Sequence, residues 1–442
     1  MTDSFDLVVR GGMVVTPSGP SEMDIGVRGG KIAALGDLGA AKAAEVFNAS
    51  GLVVLPGVID SQVHFREPGL EHKEDIAHGS KAAVMGGVTA FFEMPNTSPS
   101  TIDEAALNDK LARSKESAWC DHAYFIGGAE ENVDQLDKLE QLPGCAGVKI
   151  FMGSSTGSLL VEREEILRAI LRNGRRRISI HAEDEDRLRE RQHIAKEAAH
   201  PRAHPIWRDV ETAVIASRRI AEMSRETGRP VHVLHVTSAE EMELLAHYKD
   251  TVTVETTLNH LTLAAPDCYE RLGTRAQMNP PVRDERHQAA IWRAIVDGTV
   301  DVIGSDHAPH NLEEKQREYP SSPSGMPGVQ TLLPLLLDHM SQGRLTLARL
   351  VDLTSAGPQR IFGIAGKGRI AMGYDADFAL VDLGEQREIT DDWIASKCGW
   401  TPFAGKTVRG WPKGTIVRGT VVMREDEVLG TPTGQPVRFR MG

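Results

Sequence analysis

The chain has 442 residues, 40% hydrophobic and 25% charged, a globular balance that excludes disorder as a description of the whole. Its 50 Lys and Arg against 62 Asp and Glu give a net charge of -12, which argues against a general nucleic-acid or anionic-membrane binder and means that an anionic ligand must be held locally. Four scattered cysteines make no CxxC pair or disulfide framework, the start is acidic without a signal-like pattern, and no apolar run approaches the ~20 residues of a membrane span, so a soluble, unprocessed, cytoplasmic protein is expected.

Residues 5–55 read as short β-segments (Leu7–Arg10, Met13–Val15, Ile25–Val27, Ile32–Leu35) separated by Gly-rich turns. After Pro56-Gly57 apolar strand runs alternate with helix-period stretches. The runs begin near Val58, Val88, His122, Gly147, Arg177, Val231, Thr251 and Asp301, with helices expected over Glu74–Val84, Glu162–Leu171, Trp207–Glu226, Glu240–Tyr248 and Gln288–Val296. Eight strands with crossover helices imply a closed (β/α)8 TIM barrel, because parallel strands need crossovers and closure removes both edges. From about Gly366 β-like pieces return (Phe378–Val381, Thr407–Gly410, Thr415–Val422). The expected fold is α/β: a barrel over 56–365 and a small composite β-sandwich module built from 1–55 and 366–442.

In such a barrel the C-terminal ends of the strands face the active-site mouth. Strand one is expected to end in Asp60–Arg66, where alternation puts Gln62, His64 and Arg66 on one face; strand four carries Lys149 inside an apolar run; strands five, six and eight end at His181, His235 and Asp306. Alone, a strand histidine is more often a hydrogen-bonded core or mouth residue than a ligand, and a strand lysine usually snorkels or makes an ion pair. Together, left unpaired in an apolar barrel, they would be costly, whereas a divalent metal satisfies several at once. His232 and His307 alternate to the other side, which suits a supporting role shared by His122; His200, His204 and His260 have no assignable one. Ser238 with Glu241 has the form of a capping box and so starts a helix. No Gly-x-Ser-x-Gly elbow occurs, and Gly153–Gly157 lacks a P-loop lysine.

Taken in order, these segments resemble the cyclic amidohydrolases and, within them, the dihydroorotases. The resemblance rests on His64-Phe65-Arg66-Glu67-Pro68-Gly69, Glu93-Met94-Pro95-Asn96-Thr97, Gly147-Val148-Lys149, His181-Ala182-Glu183, Leu234-His235, Asn279-Pro280-Pro281-Val282-Arg283 and Ser305-Asp306-His307-Ala308-Pro309-His310, and spans nearly the whole chain. It implies a zinc-type site in which Lys149 has reacted with CO2 to become an anionic carbamate. His181 and His235 complete one metal position, and His64 and Asp306 serve the other. Arg66, Asn96 and His310 grip the substrate carboxylate, and Asn279 contacts the ring. Some dihydroorotases bridge through an aspartate near the end of strand four, but none lies in 151–157 here. The family's first motif has His-x-His, and this chain departs from it at Gln62. An amide oxygen is a poorer zinc ligand than imidazole, so one firmly held zinc and a weak or missing second are expected.

The implied reaction is reversible hydrolysis of dihydroorotate to N-carbamoyl-aspartate in pyrimidine biosynthesis. A bound zinc lowers the pKa of its water to about 7, and Asp306 acts as general base and then acid, or only as a ligand. Arg66 offers a planar fork for a carboxylate, or pairs with Glu67 or Glu93. Alternatives are an allantoinase or hydantoinase, and a catalytically silent homologue that partners aspartate transcarbamoylase. A small-molecule substrate and a homo-oligomer are expected, with neither nucleic acid nor membrane as partner.

Overall fold

Eight short segments rich in apolar residues form parallel strands in chain order: Val58–Val63, Val88–Glu93, Asp121–Gly127, Cys145–Phe151, Ile178–His181, Val231–Val233, Val252–Thr257 and Val302–Gly304. Each pairs with the next. The backbone N–H of His64 donates to the carbonyl of His307 at 2.7 Å, and Val63 bridges His307 in parallel, which brings the eighth strand back to the first. The computed structural model describes residues 4–39, 41–154 and 159–440; Met1 and most of the Gly153–Gly157 stretch lie outside the described residues. Almost every strand residue is buried, as a parallel sheet covered by its crossover helices requires. Helices Ile76–Met85, Glu164–Arg172, Val210–Thr227, Ala239–Ala246 and Glu285–Asp297 stand where helical periodicity placed them, with ends shifted by a few residues. Asp75, Asp209, Ser238 and Asp284 each cap a first turn, and Ser238 with Glu241 forms the expected capping box. The architecture is a (β/α)8 barrel.

A second sheet has nine strands, five from the N-terminal part and four from the C-terminal part. Val53–Pro56 joins them, running parallel to Ser4–Thr16 and antiparallel to Phe378–Glu388. Side chains from both ends of the chain, Val9, Val14, Ile25 and Phe47 with Phe378 and Ile416, share one apolar core. Three local expectations are corrected. Leu7–Arg10 and Met13–Val15 belong to one strand, Ser4–Thr16, because Gly11 (φ 74°) absorbs a bulge without ending it. Thr415–Val422 is not one strand but the corner of a hairpin, turned by Arg418 and Gly419 with φ 47° and 76°. The strand Lys42–Asn48 went unread because its Ala-rich run lacks alternation.

Barrel and module meet around Lys367, whose amino group is shared by Asp121, Asp375 and Asp377, with Arg418 beside them. Residues 391–406 reach the mouth side, where the Trp400 indole donates to the carbonyl of His310 at 2.8 Å. Among the described residues no helix is long and apolar enough to cross a membrane.

Candidate active site

Three residues singled out from sequence adopt left-handed backbone where their strands end: Arg66 (φ 66°), His235 (φ 40°) and Asp306 (φ 46°). For non-glycine residues this costs about 1–3 kcal/mol each and turns the side chain out of the strand's alternation. It also corrects the expected sixth strand, which stops at Val233 so that His235 can swing into the mouth. Gln62, His64, Arg66, Asn96, Lys149, His181, His235, Asn279 and Asp306 all line one narrow cavity there. Gly325 forms part of its rim; a Cβ there would sit 2.3 Å from the carbonyl oxygen of Ala308, so only glycine lets that loop close on the cavity.

One side of the cavity is built from Lys149, His181 and His235. His181 Nε2 donates to Glu183 Oε2 at 2.9 Å, and Arg208 grips the same carboxylate at 3.0 and 2.5 Å. Burial would raise the Glu183 carboxyl, but Arg208 and His181 outweigh it and hold it well below the usual range. That anion fixes the His181 tautomer, leaving the Nδ1 lone pair 3.0 Å from His235 Nε2. Burial lowers the pKa of both imidazoles, so both stay neutral. His235 Nδ1 is buried without a partner. Lys149 is buried, its ammonium over the Phe151 ring at 4.5 Å, with no hydrogen bond or ion pair among the described residues. Burial pushes its pKa down to about 7 against the pull of Asp306 and Glu255.

The other side holds His64, Gln62 and Asp306. His64 Nδ1 meets Asn96 Oδ1 at 2.8 Å, and its Nε2 lies 3.3 Å from Asp306 Oδ1. Gln62 Nε2 donates to the same Asp306 oxygen at 3.1 Å, while Gln62 Oε1 is buried without a partner. Asp306 Oδ2 carries no hydrogen bond among the described residues.

Arg66 is buried on the cavity wall and pairs with neither Glu67 nor Glu93. Its Nε donates to the Pro309 carbonyl at 3.3 Å, its Nη2 lies 3.4 Å from His310 Nε2, and its Nη1 has no partner. Burial lowers its pKa to about 10, still cationic at neutral pH. His310 sits behind it, with Nε2 3.0 Å from the Ser324 carbonyl and Nδ1 3.1 Å from Lys73 Nζ. Asn279 lines the cavity from the loop after strand seven. His232 and His307 point away, to Thr253 and Glu255 and to Glu74 and the backbone of Gly328 respectively.

Sequence reading missed the supports. Arg208 and Glu183 are 25 positions apart, and Trp400 holds His310 from 90 positions away; no local pattern links such pairs. Beneath Lys149 lies a buried polar layer in which Ser61 and His232 bond Glu255 at 3.0 and 3.2 Å, and burial raises the Glu255 carboxyl to about 8.

The donor set fits a divalent cation. Two neutral imidazoles converge at hydrogen-bond distance, and two buried polar atoms of side chains lining the same cavity, His235 Nδ1 and Gln62 Oε1, lack partners beside the buried Lys149. Two tighter groups of ligand-type side chains lie elsewhere. Asp121, Asp375 and Asp377 already close around Lys367, and in the group of Glu74, Asp75 and His78, Glu74 is engaged by Ser396 and His307.

Residues 53–422 match the Amidohydrolase family. A dihydroorotase of Halobacterium salinarum is 38% identical over 85% of this chain and 87% of its own. An allantoinase of Deinococcus radiodurans is 34% identical over 99% of both. The L-hydantoinase (dihydropyrimidinase) of Arthrobacter aurescens superposes with a TM-score of 0.93 at 30% identity, covering 99% of this chain and 100% of its own. The likeness runs through the barrel and both halves of the composite sheet, and the chain belongs to the amidohydrolase family.

Proposed function

We propose that this chain is a metal-dependent dihydroorotase, interconverting dihydroorotate and N-carbamoyl-aspartate. The carrying observation is the Arg66 guanidinium, with no carboxylate partner and its Nη1 unbonded, on the wall of the cavity that also holds Lys149, His181, His235 and Asp306. A cyclic amide bearing a carboxylate answers both features, and in a chain of charge -12 that carboxylate needs such an anchor. The match to archaeal dihydroorotases supports the same substrate. The chemistry belongs to the barrel of residues 56–365, with 1–55 and 366–442 as the composite module beside it. Four free, buried cysteines suit the cytoplasm.

Lys149 as its carbamate, His181 and His235 would hold zinc. His64 and Asp306 stand where a second ion would bind, but Gln62 spends its amide N–H on Asp306, which leaves that position weak. Zinc held by Lys149, His181 and His235 would supply Lewis acidity, lowering the pKa of bound water to about 7 and polarising the ring carbonyl. Asp306 Oδ2 takes the proton of the attacking water and returns it to the departing ring nitrogen, while Gln62 Nε2 holds the carboxylate through Oδ1. Arg66 and Asn96 grip the substrate carboxylate, with His310 bracing Arg66, and Asn279 contacts the ring.

The allantoinase match supplies a second reading, a ring hydrolase whose substrate lacks the carboxylate. Arg66→Met separates the two. Losing hydrogen bonds to a charged group costs about 2–3 kcal/mol, so KM for dihydroorotate is expected to rise roughly 30- to 150-fold in a steady-state ring-opening assay. An unchanged KM would remove the carboxylate anchor and favour the second reading. Gln62→His, which replaces an amide by an imidazole facing Asp306, is expected to raise bound zinc from about one towards two ions per chain by elemental analysis; unchanged stoichiometry would show that position 62 does not govern the second ion.

A further inference from the structure

His204 lies in the connection after barrel strand five, fully buried, and the chemistry above does not use it. Its Nε2 is 3.1 Å from the carbonyl oxygen of Met278 and 2.9 Å from the side-chain oxygen of Asn279. A backbone carbonyl only accepts, so Nε2 carries the ring proton. Burial lowers the pKa to about 3, so the ring is neutral and Nδ1 is an acceptor. The hydroxyl of Tyr319, 3.4 Å from Nδ1, is placed to donate to it. An N–H can face only an acceptor. The Asn279 atom beside His204 is therefore the amide oxygen whichever way the amide is assigned, because the tautomer is set by the Met278 carbonyl. Asn279 lines the cavity, and its amide nitrogen has no partner among the described residues.

We propose that the buried Tyr319–His204 pair is a specificity device that locks the Asn279 side chain with its NH2 group towards the ligand. The ligand atom at that point is then a hydrogen-bond acceptor, a ring carbonyl oxygen, and a ring N–H is rejected there because it would meet a second donor. His204 and Tyr319 are positioning residues; they touch Asn279 or each other and not the substrate. The proposal rests on the ring-amide reading of the site but not on which ring is opened.

The test uses the zinc-loaded full chain and compares His204→Phe, His204→Gln, Tyr319→Phe and Asn279→Asp by steady-state kinetics and thermal unfolding. His204→Phe keeps the ring and loses both nitrogens, so Asn279 is free to turn. KM is expected to rise about tenfold with kcat within about threefold of the parent. His204→Gln restores a donor near the Nε2 position and is expected to return KM to within about threefold. Tyr319→Phe loses only the longer contact and is expected to raise KM about two- to threefold. Asn279→Asp has no donor to offer and is expected to raise KM roughly a hundredfold. A purely structural role would make Phe and Gln at 204 equivalent, with KM following the melting temperature, and that result overturns the proposal. So does an Asn279→Asp enzyme that binds substrate as the parent does, since that variant leaves His204 in place and tests the donor directly. If the parent fails to open dihydroorotate but opens hydantoin or allantoin, the dihydroorotase reading falls, and the same four variants are scored on the ring that is opened.

Discussion

Replacing Asp306 by Asn is expected to lower kcat for dihydroorotate ring opening by about a thousandfold, with KM and zinc content close to the parent. The substitution is isosteric, and the amide oxygen can still accept from Gln62 Nε2, which holds Oδ1 at 3.1 Å. What is lost is the second carboxylate oxygen, Oδ2, whose lone pair takes the proton. Removing a positioned general base costs about 10²–10⁴ in rate, and the same group is needed again as the acid for the leaving nitrogen, which puts the effect in the upper half of that range. Steady-state kinetics with zinc analysis of the same sample check it. A variant within tenfold of the parent kcat would reduce Asp306 to a ligand. Loss of zinc together with loss of turnover would show that its main work is to hold the ion.

Lys149→Met is the second large effect, and it should separate stability from function. The side chain lies in a strand whose residues are all buried, and its ammonium has no ion pair. Met fills nearly the same volume without a charge, so the melting temperature of the zinc-free variant is expected to match or exceed that of the zinc-free parent. Zinc binding is expected to collapse. Structural zinc binding of about 10–16 kcal/mol spread over four ligands amounts to about 2.5–4 kcal/mol each, or roughly two to three orders of magnitude in affinity. Turnover should fall with the ion. A Lys149→Met protein that keeps its zinc through dialysis would show that position 149 is no ligand, and the carbamate would go with it.

The barrel was legible because its strands are apolar runs separated by helix-period stretches, and because a lysine or histidine at a strand end stands out against such a run. Gln62, His64 and Arg66 all line the cavity, but strand alternation accounts only for Gln62, because the strand ends at Val63 and Arg66 is brought in by left-handed backbone. The left-handed backbone at Arg66, His235 and Asp306 was not legible, since nothing in those residue types announces it. Nor was the partner of Gln62: read from sequence as a weak metal ligand, it is seen donating across 244 positions to Asp306. Likewise the carboxylate that sets the His181 tautomer stands two residues away, but only the fold brings Arg208 to hold it as an anion.

Turnover is expected to depend on one divalent ion held between Lys149, His181 and His235, beside the base Asp306 just after the eighth strand. The most direct measurement is zinc content per chain followed through a chelation and reconstitution cycle while dihydroorotate opening is assayed on the same samples. The expected result is about one tightly held ion, turnover that disappears as that ion leaves, and turnover that returns with about one equivalent of added zinc. Full turnover from protein carrying less than about a tenth of an ion per chain would contradict it.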